Sequence, residues 1–189
     1  MARIDEIADQ YERHISAPWQ RSLPGAQRIV FVVYAKEDER KLRAKLKDFE
    51  NRTLAAGHPW LEVDFTDEFP KWMAAESYPE EYFASPQLLD DRLKADSSYG
   101  FTAHCAARLR SVLTSERATD ASVVAVHGVS ALFGFATLHA ILEKVQPDIR
   151  GRLVVFFPGS YEQNVYRMLD AREGWNYLAT PISSEPSFP

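Results

Sequence analysis

The sequence predicts an α/β protein with three layers, a mostly parallel sheet of about five strands carrying helices on both faces. Three observations predict it. Ile29–Tyr34, Ser122–Val126 and Leu153–Phe157 are nearly continuous apolar runs, too short for helices and rich in β-branched or aromatic residues. Strands covered on both faces read this way. The segments between them carry apolar residues at three- and four-residue spacing, the period of a helix with one buried side. Strands alternating with such helices build parallel sheets through right-handed crossovers.

In order, Ile4, Ile7, Tyr11 and Ile15 place an amphipathic helix from Ala2 to about His14. Pro18 and Pro24-Gly25 bracket a loop before the strand Ile29–Tyr34. Lys36–Ala56 is a charged helix with Leu42, Leu46, Phe49 and Thr53 on one side, ended by Gly57. Trp60–Phe65 alternates Leu61, Val63 and Phe65 against Glu62 and Asp64, a strand with one more polar face. Ser98–Leu113 is a helix with Phe101, Cys105, Leu109 and Val112 at core spacing. His127–Ser130 leaves the strand Ser122–Val126, and a helix is predicted over Ala131–Val145, stopped before Pro147. After Leu153–Phe157, Pro158-Gly159-Ser160 should end the strand. A short helix is then predicted over Glu162–Arg172, its buried stripe Val165, Met168 and Leu169, closed by Gly174. Asn176–Ile182 reads as a last strand.

The middle of the chain differs in composition. Between His58 and Asp96 there are ten acidic residues and three basic ones, together with Trp60, Phe65, Phe69, Trp72, Tyr78, Tyr82 and Phe83. A disordered acidic segment would be poorer in aromatics. Residues 66–96 are therefore expected to form short helices, broken at Pro79 and Pro86, inserted into the sheet frame. Residues 1–189 are expected to form one domain, with 183–189 a flexible tail.

A chain of 189 residues can bury roughly 70% of its extended surface without disulfides or metal. Its single cysteine forms no internal disulfide and fits a reducing cytoplasm. No apolar run reaches the length of a membrane span, and Arg3, Asp5 and Glu6 interrupt any apolar leader, so a cytoplasmic location is expected. A net charge of −5 argues against direct nucleic-acid binding by the whole surface. Lys36, Arg40, Lys41, Arg43, Lys45, Lys47 and Arg52 do make one helix basic, and a DNA-contacting module there is one alternative. Glu37–Lys41, Glu39–Arg43 and Asp48–Arg52 are acid-then-base pairs four apart, however, the pattern of a solvated helix.

Four segments resemble the BrxB family of bacterial BREX phage-defence systems: HISAPWQRSLPGAQRIVFVVYAKEDER, WLEVDFTDEFPKWMA, VVAVHGVSALFGF and FFPGSYEQNVYRMLDAREGWNYLATPI. They keep their order over nearly the whole chain, and the last combines Trp, Gly, Pro and Asn in a fixed arrangement. The resemblance implies a role in defence against phage. It also implies partners among other BREX components, such as the alkaline-phosphatase-like protein or the large AAA-type ATPase.

Residue chemistry points away from catalysis. His127-Gly128-Val129-Ser130 has the placement of a phosphate-binding loop, and His127, Gly128 and Ser130 are its candidate anion-binding residues. The GxxxxGK[ST] pattern is absent: Gly128 and Gly134 are six apart and Phe135 stands where Lys should be. A tight turn is the plainer reading, with a nucleotide- or anion-binding regulator that does not hydrolyse its ligand as the alternative. Cys105 and His104 point about 100° apart on a helix and make no dyad. The five histidines form no metal-ligand spacing, so no metal or other cofactor is expected. Asp67 reads as a helix N-cap. Two clusters fit protein recognition, since Tyr, Trp and Arg dominate interface hot spots. One is Trp72, Tyr78 and Tyr82 in the acidic middle. The other is Tyr161, Asn164, Arg167, Asp170, Arg172 and Trp175. A non-enzymatic interaction or assembly subunit is the reading these residues favour.

Overall fold

In the computed structural model, residues 3–20, 22–94, 99–169, 171 and 174–184 are described. The fold is α/β, with a six-stranded, mostly parallel sheet between two helical layers. β1 (Ile29–Tyr34), β2 (Trp60–Asp64), β3 (Val123–His127), β4 (Arg152–Glu162) and β6 (Thr180–Ile182) run parallel in the order β2-β3-β4-β1-β6, and β5 (Val165–Met168) pairs antiparallel with β4. The sheet joins two cores because successive side chains alternate between its faces. Val30, Val32, Val154 and Phe156 meet α1 (Arg3–Ser16) and α2 (Glu39–Ala55) on one side. Phe31, Val33, Val155 and Phe157 meet α6 (Phe101–Leu113) and α7 (Leu138–Val145) on the other. The crossover from β1 to β2 passes over the α2 side, and those from β2 to β3 and β3 to β4 pass over the α6–α7 side.

Between β2 and α6 lie three short helices, α3 (Glu68–Ala75), α4 (Pro79–Ala84) and α5 (Gln87–Lys94). Pro79 opens α4 at a position where its missing N–H costs nothing. Glu76 ties the three together, accepting from both the Arg92 guanidinium at 2.7 and 2.8 Å and the Tyr82 hydroxyl at 3.4 Å. Phe69 stacks on Phe135 at 4.1 Å and packs edge-on to Phe101, which fixes α3 to the frame.

Several expectations need correction. Where the sequence predicts a helix from Glu162, the chain forms a β-hairpin as far as Met168. β4 does not stop at Pro158 but runs on to Glu162 and turns at Gln163 and Asn164, both with positive φ, 50° and 64°. A two-residue turn of that kind matches the twist of paired strands. Gly159 is what lets β4 continue, because a Cβ there would run into the Arg167 carbonyl oxygen across the hairpin. Gly174 caps no helix and leads instead into Trp175, which bridges to Tyr166. The last strand is confined to Thr180–Ile182 rather than Asn176–Ile182. The helix expected over Ala131–Val145 is a 3-10 turn, Val129–Leu132, followed by turns and then α7 from Leu138. Lys36–Ala56 likewise opens with a 3-10 turn, Lys36–Asp38, before α2. Asp67 occupies the N-cap position of α3, but its side chain makes no cap hydrogen bond.

Candidate functional site

In open parallel sheets, crevices form at the carboxyl ends of strands whose crossovers leave to opposite faces. The chain leaves β1 towards the α2 side and β3 towards the α7 side. A cavity of about 340 Å³ opens at the ends of β1 and β4, lined among others by Lys36, Glu37, Ser160, Tyr161 and Ser183, with Arg3 from α1. Beside it, the Tyr34 hydroxyl donates to Glu39 at 2.5 Å. Burial, then the Glu39 carboxylate, pushes that phenol above its ordinary range, so it stays protonated.

The loop after β3 is arranged differently from a phosphate cradle. His127 is buried, with Nε2 2.8 Å from Glu62 Oε1 and Nδ1 3.4 Å from Asp64 Oδ1. Asp64 also accepts from the Thr66 amide at 2.8 Å and the Thr66 hydroxyl at 2.5 Å. Burial opposes its ionisation, but these hydrogen bonds and the nearby His127 and Arg43 hold its carboxyl below the usual range. Gly128 adopts φ 70°, and a Cβ there would collide with Asp64 and Thr66. The turn is thus packed against a carboxylate, which repels an anion. Ser130 lies within the short 3-10 turn, far from the first residue of α7, so no long helix points its amino end at the loop.

Cys105 is buried, and burial followed by the Glu68 carboxylate pushes its thiol up to about 12. His104 turns away from it to Glu68, 2.9 Å from Nε2. Glu68 is the buried centre of a clamp between α3 and α6, with Lys71 Nζ at 3.0 Å and Arg108 Nε at 3.9 Å. The basic face of α2 is matched by acids, many of them on α1. Lys45 meets Asp5 at 2.7 Å, Arg52 reaches Asp9, Glu12 and Asp48, Arg43 pairs with Glu39, and Lys41 takes Asp38 rather than Glu37.

The two recognition clusters are treated differently by the fold. Trp72 is in the core, its indole N–H directed at the Tyr99 carbonyl at 3.4 Å. Tyr82 is half-buried against Glu76. Tyr78 is 68% exposed, and sequence reasoning missed its neighbour Phe83, at 77%. Among the described residues, seven large hydrophobic side chains are exposed, and four of them (Tyr78, Phe83, Leu88 and Tyr99) fall within residues 78–99. Among the described residues, more exposed large hydrophobic side chains therefore lie between β2 and α6 than in the rest of the chain. In the hairpin, the Tyr161 hydroxyl donates to Asn164 at 2.8 Å and its ring lies 4.5 Å from that of Tyr166. Trp175 packs edge-on to Phe157, and Arg167 stands opposite Ser160 in the ladder. These contacts build the hairpin. Asp170 and Arg172 lie outside the described residues.

Among the described residues no group of three or more His, Cys, Asp or Glu side chains is placed to hold a metal ion, and no helix is long and apolar enough to cross a membrane. No family model, curated protein or solved structure matches the chain.

Proposed function

We propose that this chain is a non-enzymatic interaction subunit of a BREX anti-phage defence complex, docking another component through the insertion between β2 and α6. The observation that carries the docking reading is the exposure of Tyr78, Phe83, Leu88 and Tyr99 in one short segment. Isolated exposed apolar residues need no explanation, but a concentration of large ones rimmed by charge is the usual mark of an interaction surface. The rim is acidic: Glu80 and Glu81 are exposed beside Phe83 on α4. A complementary partner surface would present Lys and Arg around an apolar groove. The BREX assignment rests on the segments similar to BrxB proteins, and it names the alkaline-phosphatase-like protein and the AAA-type ATPase as the first partners to try.

The test is co-purification with each BREX component. Removing an anchor from a well-packed hot spot costs about 2 kcal/mol or more, roughly thirtyfold in affinity. The double variant Tyr78→Ala with Phe83→Ala is expected to lose its partner and phage defence while its melting temperature stays near wild type. Full retention of binding to every component would sink the docking assignment.

A further inference from the structure

The amino ends of the strands carry a second, oppositely charged feature. Ile29 of β1 pairs with Leu153 of β4, so the residues just before them, Arg28 at the end of a 3-10 turn and Arg152 at the start of β4, stand side by side. Like charges so placed repel. Arg150 precedes Arg152 by two residues, and the three arginines line a cavity of about 220 Å³ together with Trp19, Gln20 and Asp120.

The three arginines are not equivalent. Arg28 is a clamp, donating to the Leu23, Ile149 and Arg150 carbonyls at 2.7–2.8 Å. Arg152 is 7% exposed, yet it meets no carboxylate among the described residues. Its hydrogen bonds are to the Gly151 and Gln20 carbonyls at 3.3 and 3.4 Å, and its guanidinium lies 4.7 Å from the centre of the Trp19 ring. Arg150 is exposed and, among the described residues, donates only to the Thr114 carbonyl, at 3.1 Å. Asp120, the carboxylate among the described lining residues, has a partner of its own. A buried guanidinium without a counter-charge is expensive. Burial, then the charge of Arg28, lowers the Arg152 guanidinium, and burial, then Arg152, lowers His14.

We infer that this cavity binds a phosphate dianion, free or as a phosphate monoester, held between Arg150 and Arg152 beside Trp19. Planar guanidinium forks match phosphate oxygens in pairs. A dianion balances two guanidiniums where a carboxylate balances one. The site is independent of the docking face and of the BREX assignment.

The probe is inorganic phosphate, titrated into the full-length protein with ionic strength held constant by potassium chloride. The readouts are the melting temperature and the indole N–H signal of Trp19 in a nitrogen–proton spectrum, identified with Trp19→Phe. Expected are a saturable shift of the Trp19 signal with a Kd at or below about 1 mM and a rise in melting temperature. Acetate should produce neither. Arg150→Gln, at an exposed position with one backbone contact, should weaken phosphate by about tenfold or more. Tighter binding of adenosine 5′-monophosphate than of phosphate would uphold the site and assign it to esters, and equal affinity would uphold it for free phosphate. A response to phosphate no larger than to chloride, or one unchanged in Arg150→Gln, would overturn the inference. Arg152→Lys, which keeps the charge but loses the fork, gives a second check and should also bind more weakly.

Discussion

Phe156 in β4 and Phe83 in α4 are the same side chain in opposite circumstances. Phe156 is fully buried, packed edge-on to Phe49 of α2 at 5.0 Å between ring centres. Phe83 is 77% exposed. The sheet frame and the insertion are both rich in aromatic residues, and the difference between them teaches what an aromatic is for. In the frame, buried rings such as Phe31, Phe49, Phe156 and Phe157 fill the space between the sheet and its covering helices and act as stability elements. In the insertion the helices have six to eight residues and can each bury only one side. Trp72, Phe69 and Tyr82 turn inward to fasten them, and Tyr78 and Phe83 are left over.

The largest effect that would sharpen this contrast comes from the inward-facing rings. Phe156→Ala is expected to cost about 3–5 kcal/mol, the sum of lost transfer energy and the cavity left behind. Trp72→Ala should fall in the same range, because the indole is buried and holds the insertion to the Tyr99 carbonyl. Urea unfolding monitored by circular dichroism measures both. A Trp72→Ala protein as stable as wild type would mean that the insertion is not fastened through its core rings, and the contrast would fail.

The next effect is electrostatic and lies at the seam between the two regions. Glu68 on α3 meets Lys71, His104 and Arg108, the last two on α6. Burial pushes its carboxyl up, but the hydrogen bonds from Lys71 and His104 and their charges outweigh burial and leave it below its ordinary value. A carboxyl whose folded value is depressed contributes stability that is fully present above the unfolded value. That contribution is lost as the pH falls through the folded one. Lys71 and His104 reach solvent, which screens the pairs, so Glu68→Gln is expected to cost only about 1–2 kcal/mol near neutrality. The gap between wild type and variant should close as the pH is taken below about 4. Unfolding curves at neutral and acid pH test it. A gap that stays constant, or widens on acidification, would show that the ionised carboxylate does not hold the seam.

Legibility in the sequence follows the same division. β1, β3 and the first part of β4 are readable because burial on both faces leaves a continuous apolar run. The hairpin is not, because Val165, Met168 and Leu169 have the spacing of a helix stripe while β5 is only four residues long. The local signal that could have found it is Gln163-Asn164 between Tyr161 and Val165-Tyr166, polar residues between β-forming ones. It is weaker than Asn-Gly because neither residue is glycine. The acidic and aromatic character of the insertion is plain in its composition, but which rings face outward depends on how α3 rests on α6. The arginine cavity is invisible from the chain alone. Arg28 lies more than a hundred residues from Arg150, and only the parallel register of β1 and β4 brings them together.

The smallest expected effect is the most discriminating. Phe83→Ala and Tyr78→Ala remove large side chains from a protein whose core rings are costly to lose, yet each is expected to change stability by no more than about 0.5 kcal/mol, the range of surface substitutions that break no network; Tyr78 holds the N-cap position of α4, but its side chain makes no cap hydrogen bond to lose. The reason is that an exposed ring gains little from folding: its apolar surface stays in water in both states. Neither ring has a hydrogen bond or stacking partner among the described residues that would make it an exception. The measurement is a pair of urea unfolding curves alongside that of Phe156→Ala under identical conditions. If Phe83→Ala proved as damaging as Phe156→Ala, its ring would be packed in solution, against the frame or against a second copy of the chain. Repeating the curve at tenfold lower protein concentration separates these, since only packing against a second copy depends on concentration. If the loss is small and concentration-independent, Phe83 is a side chain that folding does not need, on a helix where an apolar ring is exposed beside two carboxylates.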